Sequence, residues 1–241
     1  MSFTRRSFTF LGFGGLAAGL AACTPGGLPV LGSVAPPTAP ETTASMPQRL
    51  TPRSANYDAI YGAFQGEPFP VAAFDYTLMA PEHLRRRLRY QTVEAPGTIV
   101  IEPHKHALYY VEGGGMATRY GVGVGKEGFG WNGEAKVAVR RSWPDWIPPR
   151  EMIERDPTVA PRLVQTPRGM GVPGGVLSPL GARAMVLAAN GQDSGYRIHG
   201  TTEPDTIGTN VSSGCIRMIN QDVIHLYGRT VQSNRVVVMA G

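Results

Sequence analysis

From Thr98 to its end the chain is cut into apolar or alternating runs of five to seven residues, and this pattern constrains the fold more than any other feature. The runs are "TIVIE", "ALYYVE", "MATRYGV", "AKVAVRR", "ARAMVLA", "YRIHG" and "RVVVMA". Runs of this length are too short to bury one face of a helix but match the length of a strand, and the turn-forming residues between them break the chain where strands reverse. "EGGG" at Glu112 reads as a hairpin turn, and "EPHKH" marks the preceding junction. Near the end, only "NQDVIHLYGRTV" has helical spacing, with Asn220 as N-cap, Asp222 near the positive end of the dipole, and Val223, Ile224 and Tyr227 facing inward. A mainly β domain with a packed C-terminal helix follows. Upstream, "MAPEHLRRRLRYQTV" places Pro81 at a helix start and Leu84 and Leu88 one turn apart, predicting a short amphipathic helix with solvated arginines around it.

The N-terminus is of another kind. "MSFTRRSFTFLGFGGLAAGLAACTP" has paired arginines, an apolar stretch from Phe8 to Leu20 and small residues ending at a cysteine. The stretch falls short of the roughly 20 apolar residues that span a bilayer, so it reads as an export signal over residues 1–22. Arg5-Arg6 before Ser7-Phe8 resembles the twin-arginine type, which serves proteins exported folded. Leu20-Ala21-Ala22-Cys23 looks like a bacterial lipobox, which predicts lipidation of Cys23 and a membrane anchor. Thr24 stands where an aspartate would retain such a protein at the inner membrane, which favours the outer one. Residues 23–55, rich in proline and without period, predict an extended tether. Residues 56–94 form an extension holding the short helix, and 95–241 the main domain. The formal charge of +5 drops by two when Arg5 and Arg6 leave with the signal. No basic stripe interleaved with aromatics remains, so a nucleic-acid partner is not expected.

Two motifs fail on inspection. "GVGVGKEG" at Gly121 lacks the glycine five residues before its Gly-Lys pair and the Ser or Thr after it, and no βαβ unit surrounds it, so neither a phosphate loop nor a dinucleotide fingerprint is present. His104 and His106 have no third ligand at zinc-like spacing, and neither a metal nor a cofactor is expected. The proline-rich segment from Ser142 to Gly175 is longer than an ordinary connection and reads as a functional loop or lid. Its Trp143 and Trp146 fit two roles equally: stacking on a sugar or groove-bound ligand, or anchoring the loop in the core.

The chemistry lies in "YRIHGTTEPDTIGTNVSSGCIRM". His199 closes a strand, and Cys215 follows on a loop long enough to fold back against it. An imidazole beside a thiol raises its thiolate fraction and can carry the proton to a leaving amine. Gly214 lets the backbone approach a substrate, and the amides of Ser213, Gly214 and Cys215 can aim at an oxyanion. Alone, a cysteine is usually a small buried hydrophobe and a histidine a satisfied core residue. Export shifts the balance. With Cys23 lipidated, no second cysteine is left for a disulfide, and an idle thiol outside the cytoplasm is open to oxidation.

The same segment, with "PGTIVIEPHKHALYYVEGGG", "WPDWIPPREMI" and "GGVLSPLGARAMVLA" upstream, strongly resembles the L,D-transpeptidase family with its YkuD-type catalytic domain, over about Ala95 to Gly241. The resemblance implies a β-sandwich of mixed sheets acting on peptidoglycan stem peptides in the periplasm. Cys215 would be the nucleophile and His199 the general base and acid, oriented through the backbone of Gly200. Ser212 and Arg217 would face the donor stem, Arg217 either binding a carboxylate or holding the loop by an ion pair. Ser213 stands where many members have histidine. Diaminopimelate on a second stem would accept the acyl group to form a 3→3 cross-link. Water (an L,D-carboxypeptidase) and the amine of an outer-membrane lipoprotein stay open as acceptors. A non-catalytic wall-binding lipoprotein on the same fold is the non-enzyme reading, which the intact set of His199, Gly200, Ser212, Gly214 and Cys215 argues against.

Overall fold

The computed structural model describes residues 56–125, 131–212 and 214–240, with only the backbone of Ser212. The expected signal, Cys23, the tether and Ser213 lie outside the described residues. Among the described residues, thirteen strands carry the fold: β1 (Arg86–Arg89), β2 (Ile99–Glu102), β3 (Ala107–Gly113), β4 (Met116–Gly121), β5 (Val124–Gly125), β6 (Gly133–Ser142), β7 (Val164–Thr166), β8 (Gly169–Gly171), β9 (Arg183–Ala189), β10 (Gln192–His199), β11 (Asn210–Ser212), β12 (Ile216–Arg217) and β13 (Arg235–Val238). The α-helices of the described residues are α1 (Tyr57–Tyr61), α2 (Arg150–Arg155) and α3 (Asn220–Arg229). Each predicted run from "TIVIE" to "RVVVMA" forms a strand. The β3–β4 reversal turns on Gly114 and Gly115, both at positive φ (59° and 71°), as a two-residue hairpin requires.

Nine strands form one mixed sheet in the order β1-β4-β3-β2-β13-β6-β9-β10-β12, with β2–β13 and β10–β12 parallel. The sheet curls around α3. The Tyr120 hydroxyl of β4 lies 2.8 Å from His225 Nδ1 of α3, while Arg140 of β6 donates to the carbonyl of Tyr227 on the same helix. In a flat sheet β4 and β6 would stand about 19 Å apart, nearly twice a helix diameter. The curl closes where Gly123, two residues past β4, exchanges backbone hydrogen bonds with Arg217 of β12 (3.0 and 2.8 Å). Ile99, Leu108, Tyr120, Val137, Leu187 and Ile198 then share one core with Val223 and Leu226 of α3. The short β12 is thus gripped on both sides, by β10 and by Gly123, which fixes the residue just before it, Cys215.

Three local expectations are corrected. Residues 79–93 do not form an amphipathic helix: a single 3-10 turn over Pro81–His83 leads into β1, which pairs antiparallel with β4. The open edge of β4 offers backbone partners that outweigh the helical spacing of two leucines. Leu84 packs with Tyr61, Ile207 and Ile219, and Leu88 enters a different cluster around Tyr109. Asn220 is not the N-cap, a position held by Ile219. Its side chain bridges two loops, accepting from the Ala182 amide (2.9 Å) and donating to the Thr201 carbonyl (3.0 Å). Leu226, not assigned inward from the sequence, is fully buried, while Ile224 and Tyr227 are half-buried.

The extension of residues 56–94 is part of the packed body. Tyr61 is 1% exposed, and its hydroxyl donates to Asp222, whose fully buried carboxyl is raised to about 7 by burial despite Arg85 at 3.5 Å. Glu67 takes both guanidinium nitrogens of Arg183 (2.5 and 2.9 Å) and the Trp143 indole N–H (2.8 Å). The Arg183 bonds hold its carboxyl below the ordinary range. Both partners are about nine-tenths buried. Glu67→Ala leaves a buried guanidinium uncompensated, and chemical denaturation should read a loss of about 3–5 kcal/mol.

Candidate active site

The strand register builds the floor of a cleft of ≈ 570 Å³. Arg141 of β6 pairs with Ala184 of β9, Ala184 with His199 of β10, and His199 with Arg217 beside it on β12. The next row holds Val139, Val186 and Arg197. Cross-strand partners point to one face, and all of these residues line the same cleft. Cys215 lies two residues before Arg217, so it is the diagonal neighbour of His199. Such neighbours are about 7–8 Å apart at the backbone, within the span of an imidazole and a thiol side chain. The roof is the 142–175 segment, which is not an irregular loop. It carries α2, a 3-10 turn over Pro157–Arg162 and the β7–β8 hairpin, and its ends are pinched by the Trp146–Val172 bridge. Trp146, Ile147, Pro149 and Met152 face the cleft from this flap.

His199 is 4% exposed, and its Nδ1 lies 2.5 Å from the carbonyl oxygen of Gly200. A carbonyl only accepts, so Nδ1 carries the proton and, in the neutral ring, Nε2 keeps a lone pair. The residue after the histidine supplies that carbonyl through a tight passage. A Cβ on Gly200 would stand 2.2 Å from Asn220 Oδ1, so only glycine fits. Burial holds the imidazole down at about 4, with Arg217 and Arg197 adding to the effect against the Gly200 hydrogen bond. Cys215 is shifted the other way. Burial pushes its thiol above the ordinary value, only partly offset by the charges of Arg197 and Arg217 and by a hydrogen bond from the Arg197 backbone. Removal from water disfavours the charged form of each group, which works against the thiolate enrichment expected from an adjacent imidazole.

Gly214 adopts φ +107°, and a Cβ there would meet the Tyr196 ring at 3.1 Å, so the turn before Cys215 needs glycine on both counts. Tyr196 in turn stacks on Trp131. The structure brings His199, Gly200, Gly214, Cys215, Arg217 and Trp146 together. It removes Trp143, which is 9% exposed, edge-on to Phe69 and tied to Glu67, and which anchors the flap without lining this cleft. It serves as an anchor and also walls a neighbouring pocket of ≈ 360 Å³ with Val71, Gly175 and Thr201. Arg217 likewise shows the ion-pair arrangement, with Nη1 2.7 Å from Glu203 of its own loop, while its side chain still borders the cleft. His106 turns its Nε2 to Asn210 (2.8 Å), and His104 is exposed. Sequence reading missed Arg197, paired bidentately with Asp193 (2.8 Å each), and Arg141. Asp193, Gly195 and Arg197 stand at even spacing before His199, a period-2 signal that places them on its face.

A mainly β domain with a histidine closing one strand and a cysteine just before its neighbour, beneath a flap, is the class that fold and site define. The family model described as the L,D-transpeptidase catalytic domain (YkuD) matches residues 96–238, and the chain belongs to that family. Among curated relatives, the probable L,D-transpeptidase YcfS of Escherichia coli K12 is 31% identical over 146 residues, covering 59% of this chain and 43% of its own length. The probable L,D-transpeptidase ErfK/SrfK of Salmonella typhimurium LT2 is 26% identical over 210 residues, 82% of this chain and 62% of its own. The chain thus spans about half the length of these relatives. A crystal structure from Brucella melitensis, described as a probable carnitine operon oxidoreductase, is 44% identical, covering 68% of this chain and 99% of that one, with a TM-score of 0.45. That name describes a different chemistry, and family membership here rests on the domain match.

Proposed function

We propose that this protein is a peptidoglycan L,D-transpeptidase working by cysteine acyl transfer. The observation that carries the reading is the fixed tautomer of His199, which leaves Nε2 as a base in the cleft that Cys215 shares. Nε2 takes the thiol proton as sulfur attacks the carbonyl of the third residue of a tetrapeptide stem. The amides of Ser213, Gly214 and Cys215 receive the developing oxyanion. As the tetrahedral centre collapses, the L,D-amide bond breaks, the imidazolium returns its proton to the leaving D-alanine amine, and a thioester remains on Cys215. The side-chain amine of diaminopimelate on a second stem attacks that thioester, losing its proton to His199, and releases the thiol with a 3→3 cross-link formed.

The reading includes a periplasmic site of action, supported by the sequence of residues 1–23, which resembles an export signal with a lipobox; Cys23 would be lipidated and anchored at the outer membrane, with residues 23–55 as tether. Purified protein given disaccharide-tetrapeptides should release D-alanine and yield 3→3 cross-linked dimers by mass spectrometry. Tripeptides alone would make water the acceptor, and an absence of D-alanine release would refute the acyl-transfer reading.

A further inference from the structure

The cleft holds more positive charge than its own acids neutralise. Arg197 is taken by Asp193 and Arg217 by Glu203, while Asp145 accepts from the Gly174 amide. Arg141 on the floor and Arg155 and Arg168 on the flap also line the cleft, and among the described residues their guanidinium groups meet no carboxylate. Arg141 is the most telling of the three. Its Nε is buried with no protein acceptor, as is that of Arg140 outside the cleft, so what sets Arg141 apart is its place on the cleft floor in the row of His199 with no carboxylate beside it. Two strand spacings separate Arg141 from His199 along one row, so its backbone lies roughly 10 Å from the proposed base, and its side chain spans more than half of that. In the proposed donor, the reacting carbonyl belongs to the L-centre of diaminopimelate. The carboxylate at the far end of that residue's side chain lies about 7–8 Å away by bond lengths.

We propose that Arg141, with Arg168 and Arg155 above it, binds this distal carboxylate of the donor stem, so that the enzyme selects stems in which it is free over stems in which it is amidated. The proposal rests on the acyl-transfer reading and names its substrate class. The arrangement has floor and flap gripping one anion, which orders the flap over the stem as the reacting carbonyl reaches Cys215.

The test compares D-alanine release from two synthetic disaccharide-tetrapeptides that differ only in amidation of the distal diaminopimelate carboxylate. For the native protein kcat/KM should favour the free acid by roughly 10- to 100-fold, chiefly through KM. Arg141→Gln should bring that ratio near one, and Arg141→Lys should keep part of it. Arg168→Gln, on an exposed hairpin turn, should lower the ratio by a smaller factor and decides the matter if Arg141→Gln does not fold. Equal use of both stems by the native protein, or an unchanged ratio in the folded variants, overturns the carboxylate site while leaving acyl transfer standing. Release from neither stem overturns both.

Discussion

Cys215→Ser should lower D-alanine release from tetrapeptide stems by at least about 10³-fold while leaving the fold intact. The exchange alters one atom in a partly exposed side chain, so packing barely changes. The chemistry changes greatly. A hydroxyl is far less acidic than a thiol, so the same imidazole activates it far less readily as a nucleophile. Thermal denaturation of the variant should match the native protein within a few degrees, and stem turnover should fall to the background. Substantial turnover by the serine variant would mean that sulfur is not the attacking atom.

His199→Gln should reduce kcat/KM by about 10²- to 10⁴-fold near neutral pH, and the shape of the loss distinguishes a base from a packing residue. In the native protein the base is active only when neutral, so kcat/KM should fall as pH drops through about 4, well below the ordinary histidine range, because burial disfavours the imidazolium. In the variant no group takes the proton, but above the raised pKa of Cys215 the thiolate forms unaided. The deficit of the variant should therefore shrink as pH rises into the alkaline range. A deficit constant across pH would make His199 a structural residue. The same depressed pKa affects folding. Between about 6.5 and 4 the unfolded chain binds a proton at His199 that the folded chain refuses, so this residue's contribution to stability declines as pH falls across that window.

Much of the architecture was legible because strands separated by glycine and proline turns have few ways to pair. The seven runs from Thr98 onward and the helix at Asn220 needed only local periodicity. What failed locally was decided by distant partners. The Leu84–Leu88 spacing promised a helix, but the free edge of β4, some thirty residues on, took that segment as β1. The anchoring of Trp143 depends on Glu67, 76 positions earlier, at its indole. The catalytic candidates His199 and Cys215 were legible from their chemistry and spacing, and Arg197 could have been found by counting back two from His199. Arg141 could not, since its place in the cleft depends on the pairing of β6 with β9 and of β9 with β10. Nor could the burial that raises the thiol and lowers the imidazole, which no local motif encodes.

The most direct test traps the acyl-enzyme. Native protein mixed with a tetrapeptide stem and quenched in acid within the first turnovers should gain the mass of the stem less D-alanine, and peptide mapping should put that mass on the fragment containing Cys215. An adduct on any other residue, or steady release of D-alanine with the Cys215 fragment never modified, would contradict the thioester at the centre of the account.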